Sequence, residues 1–381
     1  MNSYYLVKKK IIFKSIIVID YKNFMLKKKY NKRLSWVDSI YRVRGPFETR
    51  LNKLRLDKNE IVSGFKKSFF KTVLKKIKNE HLTAYPETES LYDLLAKKLK
   101  ISRESLVLTA GADAALRNCF NLCVQPGDRV ITISPTFAMV DIYVKFFRAQ
   151  QIKIKYNQNL ELNLTKLINS ISSRTSLVVF ANPNSPTGTI LNHSQILKIL
   201  KKAYSKNVTV LIDEAYFGFS KYTALPLIKK FPNLIIARTF SKSCGLAGCR
   251  AGYLIAQTKL AKRLYKLRPM YEINSIAILI VTELLKREKI VQKYLKETEL
   301  GKFFLIKHLK KLSFNYLETN ANFLHIDFGT KRNFAKKIFT KRNILVKGGP
   351  GVKGYEKYFR ITLGPKKEMR PVVSIINKVY H

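Results

Sequence analysis

Acidic residues are scarce in this chain, which has 25 Asp and Glu against 72 Lys and Arg and a formal net charge of +47. A charge of this size is typical of proteins that bind nucleic acid or an anionic membrane surface. The lysines are, however, spread along all 381 residues, and Ile, Leu, Phe, Tyr and Asn are the other common residues. We interpret the excess as a compositional bias and expect no nucleic-acid function, although the charge would attract small anionic substrates.

Long apolar runs are also missing. No run reaches the length of about 18 residues that a membrane-spanning helix needs, so no membrane span is expected. The four cysteines, Cys119, Cys123, Cys244 and Cys249, have no zinc-finger spacing with histidine, and no metal site is predicted. Cysteines without a disulfide pattern favour a reducing compartment, so we expect the cytoplasm.

The chain begins with a segment unlike the rest. Lysine triplets at 8–10 and 27–29 flank isoleucine-rich stretches, without the apolar core and cleavage site of a secretory signal. We predict a poorly ordered basic extension over residues 1–35, with a surface-binding amphipathic arm as the alternative. An N-terminal arm is predicted over 36–65, a large domain over 66–275, and a small domain over 276–381 joined by a long helix.

Short β-branched runs alternate with amphipathic helical patterns from about residue 90 onward. Strands are predicted at 105–109, 129–134, 176–180, 208–213, 234–239 and 252–256, with helices at 112–124, 137–149 and 193–205. This alternation predicts an α/β fold, a sheet with helices on both faces and ligands at the carboxyl ends of its strands. A long helix over 275–312 and a smaller α+β pattern follow, with strands at 322–328, 344–347 and 358–363 and helices at 333–340 and from 368.

Two predicted strand ends favour the binding of an anion or a ligand oxygen. The run before Thr109 leads into Gly111, Ala112 and Asp113 at the start of a helix, where free backbone N–H groups suit a phosphate. The strand ending at residue 180 leads into a rigid loop over 181–188, which contains two prolines and a glycine. Each feature taken alone is also compatible with an ordinary turn.

Two further strand ends carry charged groups in apolar surroundings. Asp213 ends an apolar strand, where a carboxylate is costly unless it is paired; a cationic heterocycle nitrogen or a structural Lys or Arg would serve. Lys242 follows another strand, beside Ser241, with small residues between it and Arg250. This is the setting that a buried Schiff-base lysine beside a phosphate pocket would need, whereas the other lysines fit a solvated surface.

The motifs match a known family in order and spacing across residues 56–363. They are Asp57-Lys58-Asn59-Glu60, Tyr85-Pro86-Glu87, Gly111-Ala112-Asp113, Pro135-Thr136-Phe137, Asn184-Ser185-Pro186-Thr187-Gly188, Asp213-Glu214-Ala215-Tyr216, Ser241-Lys242 with Arg250, and Arg360-Ile361-Thr362-Leu363-Gly364. With them the chain resembles the fold type I aminotransferases dependent on pyridoxal 5'-phosphate, closest to the histidinol-phosphate aminotransferase group. The resemblance implies a three-layer α/β/α large domain with a mostly parallel seven-stranded sheet, and a smaller α+β C-terminal domain.

The resemblance also implies roles for individual residues. Lys242 would bind the cofactor aldehyde and move the substrate proton, Asp213 would hold the ring nitrogen protonated, and Tyr216 would hydrogen-bond the phenolic oxygen. The other implied cofactor-binding residues are Phe137 against the ring, Asn184 or Ser185 at the phenolic oxygen, and Ala112, Asp113, Ser241 and Arg250 at the phosphate.

Further implied roles concern the substrate and a second subunit. Arg360 would clamp the α-carboxylate in a bidentate pair, with Asn59 and Lys347 also binding substrate. Tyr85 would reach the phosphate of the neighbouring subunit, so the resemblance implies a homodimer with composite sites. The substrates would be an amino acid, with glutamate as the expected donor, and an oxo acid or related oxo compound.

Three positions depart from the family pattern and leave the substrate open. Ser185 replaces the usual Asn before Pro-Thr-Gly, Lys347 stands where an arginine holds the substrate phosphate, and Glu272 stands where Asn is commoner. Glu272 near the site would disfavour a phosphate-bearing substrate. The alternatives are an aminotransferase for an amino-phosphonate or surface-glycan precursor, a threonine-phosphate decarboxylase-like enzyme and, from another class, a non-catalytic nucleic-acid-binding protein.

Overall fold

The computed structural model describes Ile40 and residues 50–380. The predicted basic extension over 1–35 and the first part of the predicted arm lie outside the described residues. None of the described helices has the length and apolar character that crossing a bilayer requires.

A seven-stranded sheet forms the centre of the large domain. Its strands are β2 (Leu106–Thr109), β3 (Arg129–Ser134), β4 (Gln150–Lys155), β5 (Thr175–Ala181), β6 (Thr209–Asp213), β7 (Leu234–Thr239) and β8 (Gly252–Ala256). Their spatial order is β2-β8-β7-β6-β5-β3-β4, and only β8 runs against the other six. The sheet is therefore mostly parallel, as predicted.

Helices cover both faces of this sheet. They are α1 (Lys67–Leu74), α2 (Glu80–Thr83), α3 (Glu89–Leu99), α4 (Gly111–Cys123), α5 (Ala138–Phe146), α6 (Leu164–Ser170), α7 (His193–Tyr204), α8 (Thr258–Leu267) and α9 (Ser275–Leu285). Alternate strand residues point to opposite faces. Val107 and Leu211 pack with α4, α5 and α8, whereas Leu108 and Ile212 pack with α1, α3, α6, α7 and α9. The predicted three-layer α/β/α architecture is confirmed.

A second core lies in the C-terminal part of the chain. Its elements are α10 (Glu288–Lys311), β9 (Tyr316–Leu317), β10 (Phe323–Asp327), α11 (Arg332–Lys341), β11 (Ile344–Leu345), β12 (Lys347–Gly348), β13 (Tyr358–Thr362) and α12 (Lys366–Tyr380). Four strands form an antiparallel sheet in the order β12-β13-β10-β9, and β1 (Leu54–Arg55) pairs with β11. The smaller α+β unit is thus present, and the segment before residue 65 adds a strand to it.

Three details differ from the predictions. The prediction of one continuous helix over 275–312 was wrong, because this stretch forms two helices. The break lies at Arg287, which leaves helical backbone geometry and whose guanidinium donates to the Glu283 carbonyl at 2.9 Å. The strand over 344–347 is divided between β11 and β12. The edge strand β4 went unpredicted, since its alternating lysines and glutamine weaken the apolar pattern.

Candidate active site

The topology brings the predicted strand-end residues to one edge of the sheet. β2, β5, β6 and β7 all end at this edge because they are parallel, and the reversed β8 begins there. Both Thr109 at the end of β2 and Thr239 at the end of β7 pair with Gly252. The loops that carry Gly111, Lys242 and Arg250 are therefore neighbours, although they are far apart in the chain.

A cradle suited to a phosphate lies where α4 begins. Gly111 has a φ of +83°, and a Cβ there would stand 3.0 Å from the Arg250 Nη2. A Cβ on Gly252 would stand 2.9 Å from the Gly111 Cα, so both glycines are needed for this close packing. Among the described residues, no side chain caps the start of α4. Uncapped N–H groups beside an exposed guanidinium suit an anion.

Three predicted phosphate-binding residues border this cradle. Ala112 and Asp113 lie in the first turn of α4, and the Asp113 carboxylate accepts a hydrogen bond from the Tyr143 hydroxyl at 2.9 Å. The side chain of Asp113 is thus turned toward α5, which leaves the role of anion binding to its backbone. The Ser241 hydroxyl accepts from the Thr239 hydroxyl at 2.9 Å and retains its own proton for donation.

Asp213 is a buried carboxylate at the end of β6. It is 5% exposed, and its Oδ1 accepts from the Ala215 backbone N–H at 2.9 Å. Burial raises the pKa of Asp213 to about 6, an effect that the nearby Lys242 ammonium opposes. A carboxylate held in this way is stabilised in its charged form by a cationic partner, which is what a protonated ring nitrogen would provide.

A buried ion pair joins the strand ends that carry Asp213 and Lys242. The Arg238 guanidinium donates to the Glu214 carboxylate at 2.9 and 3.0 Å and to the Thr223 hydroxyl at 2.9 Å, and it stacks 3.5 Å from the centroid of the Phe217 ring. The Ala224 backbone N–H also donates to Glu214, at 2.6 Å. Glu214 and Phe217 flank Tyr216 in sequence, so this cluster fixes the turn that presents it. The sequence offered no signal for Arg238 beyond its place in a strand.

Three consecutive residues, 57–59, each form a hydrogen bond of 2.7 Å with one predicted site residue. The Arg360 Nη2 donates to the Asp57 carbonyl, and the Lys242 Nζ donates to the Lys58 carbonyl. The Asn59 Nδ2 donates to the Tyr216 hydroxyl. Because two of these contacts use backbone carbonyls, side-chain identity could not have revealed them. They gather the predicted lysine, tyrosine and arginine into one site.

Asn184 and Ser185 are placed differently although they are adjacent. The Asn184 amide is buried, donating to the Pro135 carbonyl at 2.9 Å and accepting from the Thr136 hydroxyl at 2.8 Å. Ser185 instead faces the site, with its hydroxyl 3.4 Å from the Arg360 Nη1. Of the two predicted alternatives, Ser185 is the one beside Arg360.

Lys347 lies beside Arg360, since the two residues are directly opposed on β12 and β13. An open cleft of about 720 Å³ next to Arg360 is lined by Arg332, Lys347 and Lys353, with Glu356 as the only carboxylate among its described lining residues. Four cationic side chains around one cleft favour an anionic group. Arg332 and Lys353 were not predicted, because no motif marks them.

The remaining predicted residues lie around this site. Phe137, 40% exposed at the start of α5, is available to contact a ligand ring. Tyr85 is 75% exposed and stacks on Tyr271 at a centroid distance of 4.3 Å, so its described contact is away from the lysine and arginine cluster. Glu272 lies near the Ala110 backbone at the start of α4, and burial raises the pKa of its carboxyl. Its contacts are thus on the phosphate-cradle side, away from the cleft beside Arg360.

The fold and this strand-end site define a class of protein, the fold type I enzymes that use pyridoxal 5'-phosphate. Within that class, the chain belongs to the aminotransferase class I and II family, which it matches over residues 52–376. The predictions of the family, of an aminotransferase and of its cofactor are confirmed.

Known proteins similar to the chain include several bacterial enzymes. It is 31% identical to the histidinol-phosphate aminotransferase of Caldanaerobacter subterraneus over 334 residues, 86% of this chain and 93% of that protein. It is 30% identical to histidinol-phosphate aminotransferase 1 of Carboxydothermus hydrogenoformans over 340 residues, 88% and 95% of the two chains. The Sinorhizobium meliloti histidinol-phosphate aminotransferase, solved in complex with pyridoxal-5'-phosphate, shares the fold with a TM-score of 0.79 at 22% identity, covering 91% of this chain and 96% of that one.

Proposed function

We propose that this aminotransferase transfers the amino group of glutamate to an oxo compound that carries a phosphate, as histidinol-phosphate aminotransferases do. Support for the phosphate-bearing substrate comes from the relatives at 30–31% identity, which are named histidinol-phosphate aminotransferases; glutamate as the amino donor is part of our proposal. The observation that carries the proposal is the cationic cleft, in which Lys347 stands directly beside Arg360 and Arg332 and Lys353 complete the lining. One guanidinium is available for a carboxylate, and further cations for a second anionic group.

The side chains present fit the cofactor. When bound, pyridoxal phosphate supplies an aldehyde that attaches to amines and a cationic ring that stabilises the negative charge left at the substrate Cα. Ala112, Asp113, Ser241 and Arg250 would hold its phosphate, and Phe137 would lie against its ring. Glycines at 111 and 252 keep this cradle open, as the short distances to any added Cβ indicate.

The polar residues of the site would divide the chemistry among them. Asp213 holds a proton at the ring nitrogen, since its buried carboxylate is stabilised by a cationic partner. Tyr216 donates to the phenolic oxygen, because its hydroxyl oxygen already accepts from Asn59 and its proton remains free. The amine of Lys242 would take the proton from the Cα of the amino donor and, in the second half of the reaction, deliver a proton to the carbon that receives the amino group.

The substrate would be oriented by Arg360. Its guanidinium offers a planar fork to the α-carboxylate, which a lysine cannot reproduce. Ser185 lies at the same fork, so in this chain a hydroxyl takes the place of the more usual amide. Lys347 would pair with the distal phosphate as a point charge.

We also propose a homodimer and a location in the cytoplasm. The exposed Tyr85 and Tyr271 rings support a subunit contact, because a stacked pair of aromatic rings exposed at 75% and 46% is a typical element of an interface. Tyr85 would then serve the phosphate site of the partner subunit.

A substrate comparison tests the proposed function. The purified protein, supplied with pyridoxal phosphate and glutamate, is offered imidazole-acetol phosphate, its phosphate-free alcohol, phosphonoacetaldehyde and a panel of oxo acids, and 2-oxoglutarate is measured. We expect kcat/KM for imidazole-acetol phosphate to exceed that for the alcohol by about 100-fold, since a charge-assisted contact is worth about 1.5–3 kcal/mol. Lys347→Ala should lower this ratio of kcat/KM values by about tenfold.

Equal rates with the phosphate and the alcohol would contradict the proposal. Preference for phosphonoacetaldehyde would favour the amino-phosphonate alternative. Carbon dioxide release from phosphothreonine, without formation of 2-oxoglutarate, would favour the decarboxylase.

A further inference from the structure

His325 is a completely buried imidazole that the family motifs do not include. It lies on β10 with 0% exposure, directly opposite Arg360 on β13. Lys347 lies opposite Arg360 from the other side, so the three residues form one row across the small sheet. Cross-strand neighbours of this kind have Cβ atoms about 4.5–5.5 Å apart, within reach of polar contact.

One hydrogen bond fixes the tautomer of this imidazole. The His325 Nε2 lies 2.8 Å from the Pro186 carbonyl oxygen, which can only accept, so Nε2 carries the proton. Burial, assisted by the neighbouring Arg360 charge and opposed by the hydrogen bond to Pro186, lowers the pKa of His325 to about 4. The ring is therefore neutral near pH 7, and Nδ1 presents a lone pair.

Two buried polar groups on this pair of residues lack partners. Among the described residues, neither the His325 Nδ1 nor the Arg360 Nε has a hydrogen-bond partner. One is an acceptor and the other a donor, and both side chains contact the Phe323 ring, at 5.5 and 5.3 Å from its centroid. An unpaired buried polar group costs free energy, so mutual pairing would stabilise both.

We propose that His325 is a positioning residue for Arg360: anchored through Nε2 on the Pro186 carbonyl, it accepts the Arg360 Nε–H at Nδ1 when the guanidinium fork is bound to a carboxylate. Pro186 follows Ser185, so the same imidazole ties the loop of Ser185 to the strand of Arg360. Nη1 also contacts the Ser185 hydroxyl and Nη2 the Asp57 carbonyl, but each carries two protons, so one N–H on each is left for the substrate. This inference rests on the proposed role of Arg360 as the α-carboxylate site.

A set of matched variants tests the inference. His325→Phe keeps the ring volume without the nitrogens, His325→Gln keeps one donor and one acceptor, and Ile326→Val alters the same strand without facing Arg360. For the enzyme loaded with pyridoxal phosphate, KM for glutamate is measured alongside kcat. Calorimetry gives the dissociation constant of glutarate, an unreactive dicarboxylate, and the affinity for pyridoxal phosphate is measured separately.

We expect His325→Phe to raise KM and the glutarate dissociation constant by about tenfold, the effect of one lost hydrogen bond, while kcat and cofactor affinity stay within about threefold. His325→Gln should restore both constants to within about threefold of the unaltered enzyme, and Ile326→Val should leave them unchanged. Normal glutarate binding by His325→Phe would overturn the inference, as would a Gln variant as defective as the Phe variant.

A measurement on the unaltered protein covers the case in which the variants do not fold. The chain has five histidines, so ¹⁵N-histidine labelling gives a resolvable spectrum. His325 should be the Nε2–H tautomer, and its Nδ1 resonance should shift when glutarate binds. A proton on Nδ1, or an unchanged Nδ1 signal at saturating glutarate, would refute the contact.

Failure of this inference is distinguishable from failure of the proposed function. Arg360→Lys should weaken glutarate binding by about 30-fold, because the bidentate fork is lost. If Arg360→Lys has no effect, the carboxylate role of Arg360 is wrong. If it weakens binding but His325→Phe does not, Arg360 acts without help from His325.

Discussion

The half of this site proposed to hold the cofactor and the half proposed to hold the substrate, called the cofactor half and the substrate half below, are built in different ways. The cofactor half consists of Gly111, Ala112, Asp113, Asp213, Tyr216, Ser241, Lys242 and Arg250, at the ends of β2, β6 and β7 and before β8. The substrate half consists of the backbone carbonyls of residues 57 and 58 and the side chains of Asn59, Ser185, His325, Lys347 and Arg360. The first half is held by neighbouring strands of one sheet. The second is held by contacts such as Arg360 to Asp57 and Asn59 to Thr362, both between residues 303 positions apart.

The two halves also differ in how much free energy their internal contacts contribute. In the cofactor half, the Arg238–Glu214 pair is almost fully buried, and removing one partner of such a pair typically costs about 3–5 kcal/mol. In the substrate half, Lys347 is exposed, and the Ser185–Arg360 contact is long at 3.4 Å. The cofactor half is thus preorganised, whereas the substrate half retains contacts that a ligand can replace or strengthen.

The largest expected effect comes from Lys242→Ala in the cofactor half. The change removes the amine that moves the substrate proton, so kcat should fall by about 10⁴-fold or more, the range of combined nucleophilic and general-base catalysis. Borohydride treatment of the unaltered protein should fix the cofactor to Lys242, as found by peptide mass spectrometry, and should fix none in the variant.

Lys58→Ala is the matched control for this prediction. In the described hydrogen bond between Lys58 and Lys242, Lys58 contributes its backbone carbonyl. The substitution retains this carbonyl. Activity should stay within about threefold of the unaltered enzyme, the scale of surface substitutions. Full activity of Lys242→Ala would refute the role assigned to the lysine.

Asp213→Asn should have opposite effects on stability and activity. Because burial raises the pKa of Asp213 from 3.8 to about 6, the protonated carboxyl is favoured in the folded, cofactor-free protein. This contribution to stability is fully present below pH 3.8 and is lost as the pH rises through about 6. At pH 8, above both pKa values, the cofactor-free variant should therefore be more stable by about 3 kcal/mol, since one pKa unit corresponds to about 1.4 kcal/mol.

In the cofactor-loaded enzyme the same variant should lose about 10³-fold in kcat, because an amide cannot hold a proton at the ring nitrogen. Urea unfolding of the two cofactor-free proteins at pH 5 and pH 8 measures the first effect, and steady-state kinetics the second. A variant less stable than the unaltered protein at pH 8 without cofactor would show that Asp213 is already paired.

The sequence placed several residues of the cofactor half at predicted strand ends, whereas in the substrate half His325 and the backbone contacts of residues 57 and 58 went unpredicted. The β-branched composition of the strands reveals them in the sequence, and next to their ends lie Gly111, Asp213, Lys242 and Arg250. Parallel strands end at the same edge of a sheet, so these residues are expected near one another. The alternation of elements therefore predicts one sheet with helices on both faces, but not its strand order or the reversal of β8. The contacts of Asp57 and Lys58 could not be predicted, because they use backbone carbonyls that any residue provides.

Long-range packing explains the other residues that went unpredicted. Arg238 is an arginine within an apolar strand, and its partner Glu214 becomes apparent only when β6 and β7 pair. His325 faces Arg360 through the register of β10 and β13, which the sequence pattern does not specify to a single residue. The break between α9 and α10 depends on a local capping contact of Arg287 inside an otherwise continuous helical pattern.

The smallest expected effect, Ser185→Asn, would bring the substrate half closer to the usual family pattern. The Ser185 hydroxyl lies 3.4 Å from the Arg360 Nη1, and the longer Asn side chain would shorten that contact. KM for glutamate should fall by about twofold to fivefold, which corresponds to about 0.5–1 kcal/mol of added hydrogen bonding.

The adjacent change Asn184→Ser is the control: it breaks hydrogen bonds to Pro135 and Thr136, so it should lower the melting temperature and leave KM unchanged. If Asn184→Ser instead changed KM and Ser185→Asn did not, the two neighbours would have exchanged roles, with Asn184 as the residue that meets the substrate.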